Sequence, residues 1–104
     1  MDENIKNEYL KFMNEILEKS SNYEREYKFG SNKKIRDNGL KNLRNEISLF
    51  EYFVEKKPEL YNLITGENST DYHKYIIWDE FLTVQYFVRD LKESIIKLTN
   101  LNKL

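Results

Sequence analysis

Residues Tyr72–Asp90 read YHKYIIWDEFLTVQYFVRD, and the division of their apolar side chains between faces decides the architecture. The stretch reads as part of a last helix from about Thr70 to Asn100. In it Ile77, Phe81, Val84, Val88, Leu91, Ile95 and Leu98 alternate at four- and three-residue spacing. At 100° per residue these seven lie within roughly 50° of a common line, the signature of a helix buried along one stripe. Tyr75, Trp78, Leu82, Tyr86 and Arg89 cluster nearly opposite, and Ile96 continues that side. A helix that is apolar on two sides is either central in its bundle or docked on something else.

Working back from this helix, "PELYNLI" places Pro58 at a first helical position and Gly66 after the end, so a short helix is expected there. A longer helix precedes it, with Leu40, Leu43, Ile47, Phe50 and Val54 on its main stripe and Ile35 and Phe53 along one edge. Asn38-Gly39 is a turn signal, but Ile35 and Gly39 extend the stripe in register, so the helix is read as continuous from about Asn32. The first helix runs from about Asn4 to Tyr27, with Ile5, Tyr9, Phe12, Ile16 and Tyr23 on its stripe, widened by Leu10, Met13 and Leu17. "KFGSN" separates the two. Gly30 is expected to end the first helix in a left-handed conformation and Ser31 to cap the second. The expected fold is all-α: a small bundle of three long helices and one short helix in a single domain spanning residues 1–104.

Several classes of function find no residues to carry them. There is no Cys, so no disulfide scaffold and no thiol chemistry, and the chain suits a reducing compartment. The three glycines are scattered at 30, 39 and 66, so no phosphate-cradling loop exists and no cofactor is expected. His73 is the sole histidine, and Asp71, two residues away on a helix, does not converge with it. No metal site and no catalytic residue are expected. "MDENIKNEYLKFMNEIL" lacks a basic region and an apolar run, so neither a secretion signal nor a membrane partner is expected, and the expected location is cytoplasmic.

What remains is a reading by surface. Trp, Tyr and Arg are the side chains that carry most interface energy, and a Trp left in water forgoes about 2–3 kcal/mol of burial. Tyr75, Trp78, Leu82, Tyr86 and Arg89 are therefore the expected partner-binding patch, with burial under the "PELYNLI" helix and self-association as the competing explanations. Charge is segregated. Residues 28–44 hold six bases against one acid, whereas residues 45–80 hold eight acids against three bases. Lys33, Lys34, Arg36, Lys41 and Arg44 form the expected basic patch, suited to an acidic protein or, by nonspecific phosphate contacts, to nucleic acid. The expected function is a non-enzymatic protein-binding module, a bacterial or phage inhibitor of the immunity or anti-defence kind that sterically blocks a nuclease, a toxin or another protein. A nucleic-acid-binding protein and a homodimeric interaction domain stay open as alternatives.

Overall fold

The computed structural model describes residues 1–66 and 77–101. Within them the chain forms helices α1 (Glu3–Phe29), α2 (Lys33–Glu55), α3 (Pro58–Thr65), α4 (Trp78–Phe81) and α5 (Phe87–Thr99), with no strand among the described residues. The fold is all-α. Helices α1 and α2 are its backbone, an antiparallel hairpin packed along most of its length, with α5 laid against α1.

The boundaries of α1, α2 and α3 follow from local chemistry. The Asp2 carboxylate accepts from the amides of Asn4 (2.8 Å) and Ile5 (3.3 Å), satisfying donors that α1 leaves unpaired. The cap of α2 is Asn32, not Ser31: its side-chain oxygen accepts from Ile35 N at 2.9 Å. Gly30 is not left-handed either, with φ −57° and ψ 143°. A glycine is needed there for space, since a Cβ would stand 2.5 Å from the Glu26 carbonyl and 2.8 Å from Ile35 Cγ2. Gly66, at φ 69°, does close α3 in the left-handed region. The reading of α2 as unbroken through Asn38-Gly39 holds. Gly39 is buried against α1, which turns a turn signal into a close helix contact.

The core unites Tyr9, Met13 and Ile16 of α1 with Leu43, Ile47, Phe50 and Val54 of α2. Leu60 and Ile64 of α3, Phe81 of α4, and Phe87, Val88, Leu91 and Leu98 of α5 complete it. The α1 stripe is rotated from the expected one. Ile5 is exposed, while Lys6 and Ser20 are buried. Lys6 covers apolar surface with its stem, and its ammonium reaches Glu3 at 3.2 Å and the Leu101 carbonyl at 3.4 Å.

The last helix is where the expected architecture fails. Residues 82–86 are turns, so α4 and α5 are separate and the third long helix has 13 residues. Phe81 and Phe87 explain the break. Six positions apart on an unbroken helix they would point about 120° away from each other. Here both reach Phe50, with ring centroids at 5.2 and 5.5 Å, and lie 5.7 Å from one another. The Thr83 hydroxyl donates to the Glu80 carbonyl at 2.7 Å, and the amides of Tyr86 and Phe87 both turn back to the Thr83 carbonyl, which holds the corner. Of the expected stripe, Phe81, Val88, Leu91 and Leu98 are buried and Val84 and Ile95 partly so, but Ile77 is exposed. The start of the expected helix, residues 70–76, lies outside the described residues.

Candidate functional site

The five residues expected to form one aromatic face do not share a helix. Tyr75 lies outside the described residues, as does His73. Trp78 begins α4, Leu82 sits in the corner, Tyr86 caps α5 and Arg89 lies in its first turn. Trp78 is half-buried by its own chain, its ring 5.4 Å from Tyr61, 5.6 Å from Phe81 and 6.3 Å from Phe50. Leu82 packs on the core edge. Arg89 is occupied locally: Nε donates to Asp90 Oδ1 at 3.0 Å and the guanidinium lies 4.4 Å from the centre of the Tyr86 ring. The hydrogen bond to Asp90 is the main reason its pKa rises further above its ordinary value. Asp90 is itself buried and so lends the pair rigidity.

The basic residues are a different matter. Lys33, Lys34, Arg36, Lys41 and Arg44 are all exposed and all on the first half of α2. Lys33 reaches Asp37 at 3.6 Å, and Arg36 Nη1 donates to the Gly30 carbonyl at 2.9 Å, bracing the turn. Lys41 and Arg44 border a shallow hollow with Asp37, Leu40 and Asn45. Four bases and no acid occupy residues 28–36. Three of them, Lys33, Lys34 and Arg36, stand in the first turn of α2, which sets positive charge against the positive end of the helix dipole, about 0.3–1 kcal/mol of stability lost per exposed charge.

Two apolar side chains sit among these cations, and the sequence reading passed over one of them. Phe29 ends α1 with 79% of its surface exposed, and Ile35 in the first turn of α2 is 37% exposed. They flank an open hollow of about 550 Å³ between the end of α1 and the turn, lined also by Tyr23, Arg25, Glu26 and Gly30. The surroundings make this end of the hairpin unusual. Between Ser20 and Leu43 the single buried residue is Gly39, so more than 20 ordered residues contribute almost nothing to the core. At 1.5 Å per residue α1 alone is about 40 Å long, and the molecule measures 47 Å along its longest axis. Phe29 went unnoticed in the sequence because it directly precedes Gly30 and belongs to no stripe.

Among the described residues no group of three or more His, Asp or Glu side chains could hold a metal ion, and no helix is long and apolar enough to cross a membrane. Tyr9 has a raised pKa, first because it is buried and then because Glu59 and Glu8 disfavour its phenolate. Glu46, Ser20 and Ser94 each keep one buried oxygen without a hydrogen-bond partner in the protein. No protein-family model, no curated protein and no solved structure matches this chain.

Proposed function

We propose that the chain is a non-enzymatic protein-binding module that docks by the α1–α2 hairpin end, placing Phe29 and Ile35 in an apolar recess of a partner whose rim is acidic. The observation that carries this reading is Phe29, a large aromatic ring left open at the end of an ordered hairpin whose residues 28–36 hold four bases and no acid. An exposed apolar pair with a charged rim is the make-up of a small interface centre. Lys33, Lys34 and Arg36 steer the approach, while desolvation of Phe29 supplies affinity. Such a projection suits steric blockade of a partner's cleft, the inhibitor role expected from composition and size. The half-burial of Trp78 by Phe50, Tyr61 and Phe81 favours this end over the aromatic patch around Trp78.

A photoreactive phenylalanine analogue at position 29, with the same probe at Lys92 of α5 as control, is used in cells that express the protein. The protein cross-linked from position 29 alone is purified, and its binding is measured against Phe29→Ala and the double variant Lys33→Glu/Arg36→Glu. The expected result is at least a tenfold loss for each variant, with affinity falling as salt rises. Unchanged affinity for both variants overturns the reading. Transfer of the cross-link to nucleic acid, with a gel shift lost in Lys33→Glu/Arg36→Glu, replaces it with the nucleic-acid alternative.

A further inference from the structure

The cations on the first half of α2 divide into those the protein uses and those it leaves open. Lys33 reaches Asp37, and Arg36 donates to the Gly30 carbonyl. Among the described residues Lys34, Lys41 and Arg44 make no ion pair and no hydrogen bond, and all three are exposed. At 100° per residue they share an arc of about 80° on the outward side of α2, which Asn38 and Asn45 extend to about 120°. The row is about 15 Å long. Lys41 and Arg44 flank a shallow hollow of about 340 Å³, and Asp37, the one acid on this half of α2, lines it while paired with Lys33.

The rest of the molecule is charged the other way. Residues 21–45 hold seven bases against three acids, and the remaining residues hold ten bases against fifteen acids. Two of the three acids are already paired within the segment, Glu24 with Lys28 at 3.8 Å and Asp37 with Lys33 at 3.6 Å. Only Gly39 is buried between Ser20 and Leu43, so this cationic part stands clear of the core on a molecule 47 Å long. A polyanion that crosses α2 here is held away from the acidic body.

The residue types select among polyanions. Lys, Arg and Asn side chains are donors to phosphate oxygens. Sites for single strands add aromatic rings on which bases stack, and the row of Lys34, Asn38, Lys41, Arg44 and Asn45 holds none. Duplex DNA offers one charge per about 1.7 Å of axis, a denser array than a single strand. Its major groove, about 12 Å wide, admits a helix of about 10–12 Å, which the narrow major groove of duplex RNA does not.

We infer that the outward face of the first half of α2 binds the phosphate backbone of duplex DNA, without sequence preference, through Lys34, Lys41 and Arg44. This contact is separate from the Phe29 docking end and does not depend on it.

The test is fluorescence anisotropy of a short labelled DNA duplex of arbitrary sequence, titrated with the full chain at about 0.05 to 0.2 M salt. Three phosphate contacts predict that affinity falls about 40-fold across that range. Lys34→Ala/Lys41→Ala/Arg44→Ala is expected to lose at least tenfold at the lowest salt, with most of the salt dependence, while keeping wild-type helix content by circular dichroism. Lys11→Ala/Lys19→Ala/Lys92→Ala removes the same charge from exposed positions elsewhere and is expected to bind as wild type does, as is Phe29→Ala. No binding at the lowest salt overturns the inference. So does equal weakening in the two triple variants, which would report net charge and not a site. Tighter binding of the matching single strand overturns it too, as does loss of binding in Phe29→Ala, which would move the contact to the hairpin end.

Discussion

Gly39 of α2 lies directly against the backbone of Tyr27 in α1: a Cβ at position 39 would stand 2.6 Å from the Tyr27 nitrogen and 2.8 Å from the Tyr23 carbonyl oxygen. Both neighbours are main chain of a regular helix, so neither can swing aside. Gly39→Ala therefore pits a gain of about 1 kcal/mol in helix propensity against overpacking that costs about 1–3 kcal/mol. The overpacking wins, and the distal hairpin splays. Net destabilisation in urea unfolding, with faster amide exchange over residues 20–42 than over the core, is the expected outcome. A more stable Gly39→Ala protein would show that the helices tolerate wider spacing.

Trp78 and Phe29 are predicted to behave oppositely on truncation. Trp78 has three aromatic neighbours and is half-covered, so Trp78→Ala should cost about 2–3 kcal/mol, below the range for a fully buried tryptophan. Phe29→Ala should change stability by less than about 0.5 kcal/mol, as for an exposed site. Thermal unfolding of the two variants side by side checks both. Equal losses would mean that the Phe29 ring is packed in solution.

Lys34→Glu should raise the stability of the isolated chain by about 0.3–1 kcal/mol. It replaces a base with an acid in the first turn of α2, where no acid now stands. The same change should weaken docking at the hairpin end. A variant that is more stable yet binds less tightly is the mark of a residue retained for contact, and chemical denaturation beside a binding titration reads both.

Glu46 offers a sharper stability test. Its Oε2 is buried with no partner in the protein, so Glu46→Met exchanges an unsatisfied oxygen for apolar volume of similar length. An increase of about 1 kcal/mol in unfolding free energy is expected. A clear loss would reveal that the carboxylate is satisfied in solution by ordered water.

Alkaline pH should act through Tyr9. Its pKa is raised in the folded chain above the ordinary value near 10, so on raising the pH the unfolded chain loses its phenolic proton first. Stability contributed by the buried neutral phenol is complete below pH 10 and falls as pH climbs from there toward the folded pKa. Tyr9→Phe should flatten that decline, as followed by urea midpoints at successive pH values.

Most of the helical framework was legible in periodicity: Leu43, Ile47, Phe50 and Val54 are buried as their spacing requires, and the Pro58 and Gly66 signals bound α3. The α4–α5 corner was not, because Thr83 and Val84 are compatible with a helix and only the shared contact of Phe81 and Phe87 with Phe50 makes the break favourable. That is a tertiary preference overriding a local one. Lys6 escaped for a related reason, since its charge marks it as surface while its four-carbon stem covers the core. The basic residues were found by counting charge, but the exposure of Phe29 depends on how far α1 runs beyond the last core residue, and no single position in the sequence encodes that length.

The lopsided charge along the 47 Å axis has a kinetic meaning that the net value of −1 conceals. A rod with a cationic end and an anionic body is a large permanent dipole, and it turns in the field of an approaching partner before contact. Encounter is then biased toward presentation of the hairpin end, and the bias weakens as added salt shortens the Debye length from about 30 Å at 0.01 M to about 8 Å at 0.15 M.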